Sequence, residues 1–171
     1  MQRSQRRSRT VGRVQVALLE IDFRSSDYGV LAGQATGADH RLEISVQGGD
    51  DLELVACGLD GSRLGSLRVT GRGHADSFYG AVSAADSSHA YGSRLFVEPV
   101  ARRRGIGEFL VRSGVAEARQ RWSLGYKTLI DTSNTSSVAL HERVGLSIRR
   151  ECRGIRLGSR VVWLTQRNLQ A

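Results

Sequence analysis

Leu95-Phe96-Val97-Glu98-Pro99-Val100-Ala101-Arg102-Arg103-Arg104-Gly105-Ile106-Gly107-Glu108-Phe109-Leu110 sets the frame for the whole chain. An apolar strand stops at Pro99, which cannot donate to a strand ladder. A basic loop and two glycines follow, and from Ile106 apolar and small residues recur at 106, 109, 110, 114, 118 and 122, the spacing of a helix. The glycines predict a backbone that passes close to whatever lies above the loop. A helix start presents unpaired N–H groups and a positive dipole end, and Arg102, Arg103 and Arg104 add charge just before it. This is the pattern of a phosphate cradle.

The arrangement Val-x-Pro-x-x-Arg-x-x-Gly-x-Gly is filled by Val97, Pro99, Arg102, Gly105 and Gly107. It lacks the Gly-Lys-Ser/Thr end of a nucleotide P-loop and the Gly-x-Gly-x-x-Gly of a dinucleotide fold. It resembles the acyl-CoA motif of the GCN5-related N-acetyltransferase (GNAT) superfamily. A second stretch, Asn134-Thr135-Ser136-Ser137-Val138-Ala139-Leu140-His141-Glu142-Arg143-Val144-Gly145-Leu146, resembles that family's Asn-x-x-Ala-x-x-Leu-Tyr-x-x-x-Gly-Phe. Asn134, Leu140 and Gly145 match and Ser137 is small where alanine is usual, while His141 and Leu146 depart.

The resemblance implies an α/β, GNAT-like fold: a mixed central β-sheet flanked by helices. It implies contacts to CoA from Phe96, Val97, Arg102, Arg103, Arg104, Gly105, Ile106, Gly107, Glu108, Asn134 and His141. The acyl donor it implies is acetyl-CoA or another short acyl-CoA, and the acceptor a small-molecule or peptide amine. A homodimer is the family's frequent assembly.

Composition bounds the remainder. The 171 residues, 40% hydrophobic and 25% charged, fit one soluble domain with a sizeable core. No apolar run reaches the ~20 residues of a membrane helix, and no secretory signal is visible. Cys57 and Cys152 are far apart, so no disulfide framework is implied and a cytoplasmic setting is expected. Of the net charge of +8, residues 1–13 supply Arg3, Arg6, Arg7, Arg9 and Arg13 without one acid. They are read as a disordered basic arm before a domain at 14–171. With aromatics at 6% and no stacking platform, nucleic acid is not the expected partner.

Taken in order, 14–23 is a strand, 24–40 a weak helix or a loop, and 41–47 either strand or helix end. Apolar runs at 52–59 and 64–69 about Asp60-Gly61 make a hairpin, and 70–88 is a long loop holding Phe78-Tyr79. A strand to Val97, a helix from about Arg103 to Arg121, a strand at 127–131 and a helix at about 136–144 follow. A hairpin of 147–157 and 160–167 closes the chain.

Acyl transfer needs a polarised carbonyl, a deprotonated nucleophile and a protonated leaving thiolate. A backbone N–H near Val97, where two parallel strands would splay, resembles the family's oxyanion contact. His141 stands where the family has its tyrosine and is the candidate general acid, donating as imidazolium from an ordinary pKa of ~6.5. Asp131, closing a strand, is the candidate base; its alternative is a turn residue. His74 and His89 could line the acceptor pocket, and Arg153, Arg156 and Arg160 hint at an anionic acceptor. A non-catalytic acyl-CoA-binding domain is the alternative function.

Overall fold

The computed structural model describes residues 11–24, 39–48, 51–71, 88–121, 124–157 and 160–168. The strands are β1 (Val11–Asp22), β2 (His40–Gly48), β3 (Asp51–Gly58), β4 (Arg63–Thr70), β5 (His89–Val97), β6 (Gly125–Asp131), β7 (Ser147–Leu157) and β8 (Arg160–Asn168). A 3-10 turn (Pro99–Ala101) leads to helix α1 (Ile106–Arg121), and α2 (Thr135–Arg143) follows β6. One sheet runs β2-β3-β4-β5-β6-β1-β7-β8. β5 and β6 pair in parallel, the other neighbours antiparallel. A parallel pair needs a crossover, and α1 is that crossover.

The alternation of β3 and β4 sends Leu52, Leu54, Leu67 and Val69 to one face, where α1 covers them with Ile106, Leu110, Val111 and Val115. Each such side chain contributes roughly 1.5–3 kcal/mol on burial. Close packing depends on Gly114, whose missing Cβ would lie 2.7 Å from Leu67 Cδ2. The hairpin expected at Asp60-Gly61 is present: Asp60 Oδ1 accepts from Ser62 N–H at 3.0 Å and Gly61 has φ +82°.

One open choice is decided and two expectations change. The stretch at 41–47 is strand, because it adds to β3 as Leu42↔Ala56 and Ile44↔Leu54. Helix α1 begins at Ile106, since Arg103 (φ 62°) and Gly105 (φ 80°) are left-handed and cannot continue a helix. Val11–Arg13, read from sequence as part of the basic arm, belong to β1 and pair with β7. β1 itself lies inside the sheet between β6 and β7. That explains why both of its faces carry apolar residues: Ala17, Leu19 and Ile21 enter the main core, and Val14 and Val16 pack with Cys152 on the other face. Phe78, Tyr79 and His74 lie outside the described residues, as does most of 24–40. Cys57 and Cys152 are buried and free.

Candidate functional site

The parallel ladder of β5 and β6 runs from His89↔Gly125 to Gly92↔Thr128 and stops there. The strands therefore part after Gly92, earlier than the Val97 position expected from the motif. A bulge in β5 drives the separation. Ser66 faces Phe96 and Arg68 faces Ser93, so Leu67 alone opposes both Arg94 and Leu95. Arg94 takes φ 54° there, a left-handed conformation that costs a non-glycine residue of order 1 kcal/mol. At the parting point Thr128 Oγ1 donates to Gly92 C=O at 2.9 Å.

Between the parted strands lies a cavity of about 230 Å³. β5 lines it with Tyr91, Ser93, Arg94 and Leu95, β6 with Thr128 and Asp131, and α2 with Ser137 and His141. Glu98 N–H donates to Leu64 C=O on β4 at 2.9 Å. Strand alternation then turns the N–H and C=O of Val97 away from β4, toward the opening, and Arg102 Nε indeed donates to Val97 C=O at 3.2 Å.

His141 is 2% exposed and its Nδ1 donates to Ser137 C=O one turn earlier, at 2.8 Å. A carbonyl only accepts, so the proton sits on Nδ1 and Nε2 carries the lone pair. Burial lowers the pKa of His141, with the Ser137 carbonyl opposing part of that shift. At neutral pH the ring is neutral, so the imidazolium donor expected from sequence is not its resting form.

Asp131 is exposed; its Oδ1 accepts from Ser133 N–H at 2.9 Å and from Ser133 Oγ–H at 2.6 Å, an Asx turn. Asn134 Oδ1 caps α2 by accepting from Ser137 N–H at 3.2 Å. Asn134 also lines the cavity, with its amide N–H groups left for other partners.

The start of α1 is built differently. Its first backbone bond runs from Phe109 N–H to Gly105 C=O at 2.9 Å, so the N–H groups of Ile106, Gly107 and Glu108 precede any carbonyl the helix can offer. Gly105 has no side chain to cap them, and open space surrounds it. Arg102, Arg103 and Arg104 are exposed around this start. Gly107 corrects one expectation. A Cβ there would lie 2.9 Å from Leu140 Cδ1, so its smallness serves the packing of α1 on α2. Glu108 turns from the helix start to Arg112 (2.8 Å) and Arg143 (3.7 Å). Phe96, beside Val97, is 45% exposed. Gly107 touches Leu140, the neighbour of His141, so the anion-ready loop and the cavity adjoin.

His89 lies at the other end of β5, buried over Gly125, and is not part of the cavity. Thr128 and Arg94 were not singled out from sequence. A threonine inside the buried run Tyr126–Ile130 was a readable sign, whereas nothing local marks Arg94 as a bulge residue.

A family model described as acetyltransferase (GNAT) family matches residues 22–146. A tandem GNAT protein from the clavulanic acid biosynthesis pathway superposes with TM-score 0.62 at 11% identity, over 94% of this chain and 55% of that one. A GCN5-related N-acetyltransferase from Sphaerobacter thermophilus gives TM-score 0.59 at 13% identity, over 92% and 53%. A putative acetyltransferase of the GNAT family from Novosphingobium aromaticivorans gives 0.53 at 16%, over 83% and 63%. The chain spans about half the length of the first two. No protein of curated function matches it.

Proposed function

Because this chain belongs to the acetyltransferase (GNAT) family, we propose that it is an N-acetyltransferase, moving a short acyl group from CoA to an amine. The observation that carries this reading is the cavity between β5 and β6, with a buried histidine on its wall and an uncapped, arginine-flanked helix start beside it. When bound, acyl-CoA supplies a thioester carbonyl and a thiol leaving group.

The residues present fit such a donor. The N–H groups of Ile106, Gly107 and Glu108 and the cations of Arg102, Arg103 and Arg104 hold its phosphates, as a helix start with added charge would. Asn134 offers amide N–H donors to the middle of the donor from the far wall. Val97 N–H, turned to the opening, polarises the carbonyl. His141 acts through Nε2: a neutral ring accepts the proton that the amine loses and returns it to the departing sulfur. The Nδ1–H bond to Ser137 holds the tautomer that this requires. Asp131 shapes the turn between β6 and α2, and we assign it no proton transfer, since Ser133 occupies one carboxylate oxygen twice over.

The test is calorimetric titration with acetyl-CoA, CoA and pantetheine, followed by thiol release in the presence of an amine panel. Micromolar binding that needs the phosphates, with thiol release that needs an amine, is expected. Binding without any turnover would leave an acyl-CoA-binding domain that is not an enzyme. A folded protein that binds no CoA would end the reading.

A further inference from the structure

The proposed reaction leaves Arg94 without a task, yet it is the most unusual residue of the cavity wall. It is not glycine, but it holds φ 54° at the bulge where β5 leaves β6. Glycine, or asparagine, would occupy such a position with less strain. Among the described residues its guanidinium makes no hydrogen bond or ion pair, and it is exposed on the wall. A strained backbone that carries a free cation into a cavity points to use of the side chain by a ligand.

Across the opening, the other charged group on the wall is Asp131, whose Oδ1 accepts from Ser133 N–H and Oγ–H. The cavity thus has a cationic wall on β5 and an anionic wall on β6. The donor's phosphates have their own partners at the α1 start, which the chain reaches from Arg94 only after three more strand residues and the 3-10 turn. Arg94 is therefore left for the acceptor.

Resting on the reading of the chain as an amine acetyltransferase, we infer that the acceptor is a small amine that also carries an anionic group, a carboxylate or a phosphate. Arg94 receives that group, and the acceptor's nitrogen enters on the side of Asp131 and attacks as the free amine, its ammonium form having first lost a proton to solvent. The guanidinium fork suits either anion in a bidentate contact. The bulge fixes where the fork starts, so it selects among amines by the distance between nitrogen and anion. Arg94 acts as a specificity determinant and takes no part in proton transfer.

Matched probe pairs test this: β-alanine against its amide, and phosphoethanolamine against ethanolamine. We expect wild type to favour the anionic member at least 10-fold in kcat/KM, with the stronger pair telling carboxylate from phosphate. Arg94→Gly should abolish the preference through KM while acetyl-CoA affinity stays unchanged, and Arg94→Lys should keep part of it. Because the bulge wants a left-handed residue, Arg94→Gly should melt no lower than wild type, which a merely structural arginine would not do. The inference is overturned by equal use of both members, or by Arg94→Gly weakening acetyl-CoA binding instead. If no probe is acetylated, the anionic probes are titrated into the protein with and without CoA, and binding that ignores Arg94→Gly, or its absence, also overturns it. Acetyl-CoA binding on the same samples reports separately on the functional reading.

Discussion

Two strand-to-helix turns flank the cavity, and they solve the same problem in opposite ways. Each must dispose of the first N–H groups of a helix. At α2, Asn134 caps the helix with its own side chain and Asp131 ties down the turn before it. At α1, left-handed Gly105 ends the loop, supplies no cap, and leaves three N–H groups without a helix carbonyl to bond, next to exposed arginines. A helix start that satisfies itself is architecture. One that leaves its donors open is available to an anion. α2 accordingly reaches the cavity with side chains, through Ser137 and His141, while the open start of α1 lies beside it.

The sharpest way to break this contrast is at His141. His141→Phe should lower turnover about 100-fold, the scale of a lost proton-transfer group, with acetyl-CoA affinity unchanged by calorimetry. Equal turnover in the variant would remove the last turn of α2 from the chemistry. Replacing Arg102, Arg103 and Arg104 together with alanine should weaken acetyl-CoA binding by at least 10-fold and flatten its salt dependence, as expected when charge-assisted contacts are lost. Pantetheine, which lacks the nucleotide phosphates, should bind the variant and the wild type alike.

Gly107→Val should cost about 1–3 kcal/mol in denaturant unfolding, because its side chain must displace Leu140. Gly105→Ala, in open space, should cost only the ~1 kcal/mol of its left-handed backbone. Should the two costs be reversed, the division between a packing glycine and a loop glycine would be wrong. Asn134→Ala should destabilise by about 1 kcal/mol through the lost cap, leaving phosphate-dependent binding intact.

The pH dependence carries a sign. Burial holds the folded-state pKa of His141 below its unfolded value, so the unfolded chain binds the extra proton first. The contribution is fully present above about pH 6.5 and is lost as pH falls through the lowered folded pKa. Wild type should lose more stability than His141→Phe over that acid range, read from denaturation midpoints at stepped pH. The acid limb of turnover should fall in the same window.

Much of the turn into α1 was legible because it is local. Pro99, Gly105 and the spacing from Ile106 are read within one turn of chain, and the two motifs keep their spacing whatever surrounds them. The parting of β5 from β6 was not. Where β5 leaves β6 depends on Leu67 of β4 facing two residues, a fact of register between distant strands. Gly107 looked like a ligand-facing residue because sequence shows that a side chain is absent, not which neighbour fills the space. The state of His141 depends on burial, which spacing alone does not give. Its lone pair sits on Nε2, and its proton on Nδ1, only because the Ser137 carbonyl lies one turn behind it.

The interior position of β1 has a kinetic consequence. Val11 pairs with Leu157, nearly the whole described chain away, and Val16 joins both Asp131 and Cys152. The contacts that close this half of the sheet are thus among the most non-local possible, and such pairings form late. On a ribosome, the Val14–Ile21 segment emerges before β6 and β7, with both of its edges and much of its apolar surface uncovered, and waits for them. Until they arrive it is the segment most exposed to pairing with the wrong strand. Chaperone engagement during synthesis should concentrate there.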